Sequence, residues 1–105
     1  MTVEEVLERG GEADDVLRDV VRSLHESGAG WVGIAFVEGD RLELGPSMGG
    51  DPPSAVRRHA VEWEGSKVAE LRAAHGDPER LAQVAALIAP YCLVGWDTGG
   101  EHWEP

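Results

Sequence analysis

Cysteine is nearly missing from this sequence: Cys92 is the single thiol in 105 residues. An internal disulfide is therefore excluded, and so is any zinc site built from a cluster of thiolates. Basic residues are scarce as well. Nine Lys and Arg stand against 20 Asp and Glu, a formal net charge of -11, and that field repels nucleic-acid phosphates and anionic lipid headgroups. No apolar run approaches the roughly 20 residues a bilayer-spanning helix needs. The opening MTVEEVLERGG is acidic where a secretory leader would be basic and then apolar, so a cytoplasmic location is expected. There is no internal repeat, and no low-complexity tract beyond short glycine pairs. The length allows one small domain over 1–105, which would bury roughly two thirds of its unfolded surface and gain from an interface.

What is present is organised around residues 30–50, GWVGIAFVEGDRLELGPSMGG. Positions 31–37 are apolar throughout, the pattern of a strand covered on both faces and hence central in a sheet. Glu38, Gly39 and Asp40 supply turn chemistry. Positions 41–44 alternate, with Leu42 and Leu44 turned one way and Arg41 and Glu43 the other, as in a half-covered second strand. Three prolines and two glycines then fall within 46–53, which predicts a loop.

Ahead of this hairpin, Thr2 and Glu5 stand at capping-box spacing, predicting a short helix or arm within 1–11, helical over 3–9, that either packs or frays. Val16, Leu17, Val20, Val21 and Leu24 recur at helical spacing within 13–27, an amphipathic helix stopped by the glycines at 28–30. After the loop, 55–63 and 66–74 read as strands joined at Gly65 and Ser66 in a type II′ turn. That turn sets Trp63 opposite Val68, Val61 opposite Glu70 and His59 opposite Arg72. His59, Val61, Trp63, Val68, Glu70 and Arg72 would then share one face, a candidate ligand or interface surface. Val56, Ala60, Ala69, Leu71 and Ala73 take the other, small enough for a helix to pack closely. Asp77 and Pro78 form an N-cap and N1 pair for a last helix with Leu81, Val84, Ala85, Ile88 and Cys92 on its apolar stripe, and Pro90 interrupts it. The tail at 93–105 holds Trp96 and Trp103 and is expected to dock.

The segment WVGIAFVEGDRLELGP resembles the first hairpin of GAF domains, above all the subgroup containing free methionine-(R)-sulfoxide reductase, and the order of the remaining elements agrees over about three quarters of the chain. The resemblance implies a compact α+β fold: a four-stranded antiparallel sheet in spatial order 2-1-4-3, with the N- and C-terminal helices packed on one face. It also implies that the first amphipathic helix contributes to a dimer interface. The chain departs from the family where further strands and helices would separate the two hairpins, because only 48–54 occupies that interval. The opposite sheet face therefore loses its lid, and with Val32, Ile34 and Phe36 beside Val61, Trp63 and Val68 it would form an apolar patch for a second subunit to bury.

Reductase chemistry in that subgroup needs a cysteine nucleophile and a resolving thiol. The cysteine that follows the GPxxG loop there is missing here, and Cys92, on a core stripe, reads as structural. His59, Glu70 and Arg72 beside Trp63 could hold an anionic ligand, yet no nucleophile accompanies them, and a cross-strand charge network is the simpler reading. His75 with Asp77 is turn and cap chemistry. His102 lacks the partners a metal site needs, and the glycines at 45, 49 and 50 lack the lysine and helix of a phosphate cradle. The expectation is a non-catalytic, homodimeric sensory or protein-interaction module without cofactor or metal and with a reduced or absent small-molecule pocket. A divergent reductase and an acidic regulator of a basic partner are the alternatives.

Overall fold

The computed structural model describes residues 2–93; the expected docking of Trp96 and Trp103 lies outside them. Helix α1, Val3–Arg9, begins with the capping box. The Glu5 N–H donates to Thr2 Oγ1 at 3.1 Å and the Thr2 N–H to Glu5 Oε1 at 2.8 Å, so two orphan donors of the first turn are satisfied reciprocally. Helix α2, Ala13–Leu24, buries Val16, Leu17, Val20, Val21 and Leu24. It stops being α-helical three residues earlier than the spacing predicts and ends in a π turn, His25–Ala29, in which Gly28 takes φ +104°. Ser27 Oγ donates to the Leu24 carbonyl at 2.9 Å, and a His25 ring nitrogen lies 2.7 Å from the Gly30 carbonyl oxygen.

Four strands follow: β1 Val32–Glu38, β2 Arg41–Met48, β3 Arg57–Trp63 and β4 Ser66–Ala73. Every neighbouring pair is antiparallel and the spatial order is β2-β1-β4-β3, as the resemblance implies. Helix α3, Pro78–Ile88, opens with the Asp77 carboxylate accepting the Glu79 N–H at 3.3 Å. Beyond Ile88 the chain tightens into a 3-10 turn, Ala89–Cys92, because Pro90 has no N–H to continue the α-helical ladder.

Two local expectations fail. The predicted loop at 46–53 begins late, since β2 runs on through Pro46 to Met48. Gly33 pairs with Ser47 and Ala35 with Leu44, so Gly45 and Pro46 together oppose Ile34 in a bulge. β2 is an edge strand, and a bulged edge is where a sheet accepts a residue without an N–H.

The second failure has wider consequences. The β3–β4 turn is made by Glu64 and Gly65, both at positive φ (52° and 84°), the type I′ arrangement rather than type II′ at Gly65 and Ser66. Trp63 pairs with Ser66 and Glu62 with Lys67, and then Val68 is passed over, so that Val61 meets Ala69, Ala60 meets Glu70 and His59 meets Leu71. Relative to the predicted pairing the ladder is displaced by one residue, which exchanges the faces of one strand against its neighbour.

The helix-covered face therefore carries Val61, Ala69, Leu71 and Ala73 together with Val32, Ile34 and Phe36, all at most 1 % exposed. These join Leu17, Val20, Leu81, Val84 and Ile88 in one hydrophobic cluster. The expected apolar patch of Val32, Ile34, Phe36 and Val61 on the uncovered face is thus corrected. The chain's own helices bury it, and it needs no second subunit.

Candidate functional site

Among the described residues no helix packs on the other face of the sheet, and what this uncovered face carries can be built from the register. One row across the sheet is Ser47, Gly33, Arg72 and Arg58, and the next is Leu44, Ala35, Glu70 and Ala60. The centre of the face is small: a glycine and two alanines form its floor. Over Gly33 lies the indole of Trp31. A Cβ placed on Gly33 would sit 2.6 Å from Trp31 Cη2 and 3.1 Å from Leu44 Cδ1, so only glycine leaves the ring its place. Trp31 Nε1 donates to the Gly50 carbonyl at 3.1 Å, which ties the loop after β2 down over the sheet. Trp31 is buried, but outside the main cluster.

Beside this small floor stands a charged group. The Glu70 side chain is only 9 % exposed. Its Oε1 accepts from Arg72 Nε at 2.6 Å and its Oε2 from Lys67 Nζ at 3.0 Å, with Arg58 Nη1 4.0 Å from Oε1. Burial by itself would raise the carboxyl pKa. The hydrogen bonds and charges of Arg72 and Lys67 outweigh it and hold the group below its ordinary value, so Glu70 is a carboxylate at neutral pH. Such a group serves as an anchor for cations and not as a proton donor. Lys67 reaches this face because Val68 is the extra residue of β4, which puts Lys67 opposite Glu62. Towards the β1–β2 turn the same face opens into a shallow depression of about 370 Å³ bordered by Val37, Asp40, Leu42 and Lys67.

The six residues expected to share a surface are divided. Glu70 and Arg72 lie together on the uncovered face. Val61 is fully buried under the helices. Val68, half-buried, packs against the main cluster. His59 is paired with Leu71 on the helix side, half-buried, and its Nε2 is enclosed with no hydrogen-bond partner among the described residues. Trp63 closes β3 at the turn, 38 % exposed. No contact joins His59 to Glu70 or Arg72 through the sheet, because the two sides of β4 separate them. Cys92 is buried in the helix-side cluster, and burial pushes its thiol up to about 12.

No protein-family model, curated protein or solved structure matches this chain. Its reading therefore rests on its own geometry and on the hairpin resemblance. Among the described residues no group of three or more His, Cys, Asp or Glu is placed to hold a metal ion, and no helix is long and apolar enough to cross a membrane.

Sequence reasoning missed Trp31, Gly33, Arg58 and Lys67 as parts of this face. Trp31 and Gly33 were legible only as members of an apolar run. Lys67 stands three residues before Glu70, a spacing that puts two strand residues on opposite faces unless a bulge intervenes.

Proposed function

We propose that this chain is a non-catalytic GAF-like interaction or sensory module that works through the uncovered face of its sheet. The observation that carries the reading is the one-sided cover of the sheet. α1, α2 and α3 share one cluster with Val32, Ile34 and Phe36, while the other side exposes Leu44 beside an arginine–lysine–glutamate group, with Trp31 buried over Gly33. Antiparallel sheets tolerate one solvated face. A face with a buried carboxylate, three cations and 44 % exposed Leu44 is nevertheless more specific than solvation requires.

Self-association is part of the proposal, but its contact moves. The apolar patch expected to meet a second subunit is buried by the chain's own helices. Leu87 of α3 and Leu93 just beyond it are exposed large apolar residues, and they supply an alternative contact. Light scattering at micromolar concentration is expected to give twice the chain mass, falling to a monomer in Leu87→Asp. A monomeric parent protein would remove the dimer from the proposal.

The reductase alternative rests on the hairpin resemblance alone. Its one available thiol is enclosed and protonated, whereas nucleophilic attack on a sulfoxide needs an accessible thiolate. Incubation with free methionine sulfoxide and a thiol reductant is therefore expected to show no turnover; measurable reduction lost in Cys92→Ser would reinstate the enzyme.

A further inference from the structure

We propose that two copies of this chain join through the outer edges of their β3 strands, antiparallel about a two-fold axis at Ala60, so that the two sheets continue as one. The inference rests on the self-association proposed above and adds the strand, the register and the side-chain pairs that make it.

The sheet has two edges, and they are not alike. β2 bounds one side and β3 the other. β2 carries Pro46 and a bulge in which Gly45 and Pro46 together oppose Ile34, two features that interrupt the hydrogen-bonding row of an edge. β3, Arg57–Trp63, has no proline, and the extra residue of its ladder is Val68 on the inner strand β4. Among the described residues β3 pairs with β4 alone, so the outward N–H and C=O groups of a regular seven-residue strand are offered to another strand.

The sequence of β3 is complementary to itself. Directly opposed residues of antiparallel strands share a face, so a two-fold pairing joins only residues that lie an even number of positions apart. Centred on Ala60, the pairing uses the whole strand. Arg58 then stands opposite the second copy's Glu62, His59 opposite its Val61, and Arg57 opposite its Trp63. Two opposite-charge pairs result on the uncovered face, and on the helix side each Arg57 guanidinium meets an indole. Centring on His59 would set Arg58 against Ala60, and centring on Val61 would set Glu62 against Ala60, so only the Ala60 register matches the charges.

The residues that this register uses are at hand. Arg57, Ala60, Glu62 and Trp63 are exposed, and neither Arg57 nor Glu62 makes an ion pair among the described residues. Arg58 is 60 % exposed and 4.0 Å from Glu70, beyond hydrogen-bond distance. Ala60, on the axis, is too small to hold two backbones apart. α3 packs on β3, so its exposed Leu87 belongs to the same flank of the molecule and widens the contact beyond the strand. The net charge of -11 on each copy opposes self-contact at long range, but at about 0.15 M salt the screening length is about 8 Å, and the opposed neighbours of the register dominate. Joining the β3 edges leaves only the interrupted β2 edges outside, so assembly closes at two copies.

The test uses the full chain at about 0.15 M salt, read by sedimentation equilibrium. The dimer dissociation constant is expected to rise about tenfold in Arg58→Glu and in Glu62→Arg, each of which sets like charges across the axis twice. The variant carrying both changes restores opposite pairs and should return to within about threefold of the parent. Arg58 and Glu62 stand about 13 Å apart along one strand, so that recovery reports on the contact between copies. Ala60→Cys gives a second readout. Opposed residues have Cα atoms about 4.5–5.5 Å apart, within disulfide range, and the native Cys92 is buried. Diamide should therefore join one thiol of each copy into a disulfide and yield a covalent dimer, whereas Glu43→Cys on β2 should stay uncrosslinked. Melting temperatures check that each variant keeps the fold.

Recovery in the double variant together with the Ala60→Cys crosslink supports the β3 edge. A dimer that ignores both single charge reversals, leaves Ala60→Cys unlinked and falls to a monomer in Leu87→Asp overturns the edge and leaves self-association standing. A parent protein that stays monomeric at millimolar concentration overturns both; if every β3 amide then resists hydrogen exchange, the edge is covered by the chain itself.

Discussion

Gly33 is the residue on which the uncovered face turns. Without a side chain of its own it holds the Trp31 indole against the sheet, and any Cβ there would stand 2.6 Å from the ring. Gly33→Ala is expected to displace the indole from its bond to Gly50 and to cost about 1–3 kcal/mol through overpacking. Near-UV circular dichroism and urea unfolding would show both changes; an unaltered tryptophan signal would mean the ring does not depend on this glycine. At this scale the sequence was legible in kind and illegible in place. Of the strand expected over 31–37, Val32 to Phe36 are buried in β1 while Trp31 precedes it and Val37 is 38 % exposed, and an apolar pattern cannot distinguish a side chain buried by a helix, such as Ile34, from one held against a loop carbonyl, such as Trp31. His59 shows the same limit from the other direction. The expected register set it opposite Arg72 on one face with Glu70, and one step of register paired it with Leu71 on the other side of the sheet instead.

Among the elements, the helices were the most legible, because their signals are local. Thr2 with Glu5 and Asp77 with Pro78 mark helix starts by chemistry contained within a single turn, and both caps form. The β3–β4 hairpin was legible as a hairpin and misread in its turn. Glu64 occupies a position of positive φ (52°) next to Gly65 (84°), where an L-residue other than Asn, Asp or Gly is disfavoured. Glu64→Asn should therefore stabilise the protein by about 0.5–1 kcal/mol and Gly65→Ala destabilise it by at least as much. Thermal melts of the two variants check this, and a stabilising Gly65→Ala would contradict the turn. A glutamate gives no hint of a type I′ turn, and nothing local announces that Val68 is an extra residue. The register beyond the bulge follows instead from burial: only the observed pairing puts Val61, Ala69 and Leu71 under the helices together.

For the molecule as a whole, the acid side of its stability follows from ion pairs that join distant parts of the chain. Arg80 on α3 donates to both carboxylate oxygens of Glu4 on α1 at 2.7 Å, and that bond, more than any other cause, lowers the Glu4 pKa to about 2 from 4.5. A carboxyl whose folded pKa is depressed stabilises the fold above its unfolded value and loses that contribution as pH falls through the folded one. Glu70 shifts in the same direction. The melting temperature is thus expected to drop between about pH 4.5 and about pH 2, and Glu4→Gln should flatten the part of that drop owed to α1. Glu4 and Arg80 are both substantially solvated, so at neutral pH the substitution costs only about 0.2–1 kcal/mol after screening. An unchanged acid profile in Glu4→Gln would show that the α1–α3 tie contributes nothing.

The sequence by itself determined the element types, the α1 and α3 caps, the acidic balance and, through the resemblance of its first hairpin, the strand order, since each is encoded in short-range pattern or composition. Only the tertiary structure decided which side of the sheet each β3 and β4 residue faces. Side chains alternate along a strand with a period of two. A single extra residue at Val68 therefore exchanges the two faces without leaving any mark in local propensity, and burial against the helices selects between them. The meeting of Arg58, Lys67, Glu70 and Arg72 on the uncovered side is the outcome of that selection.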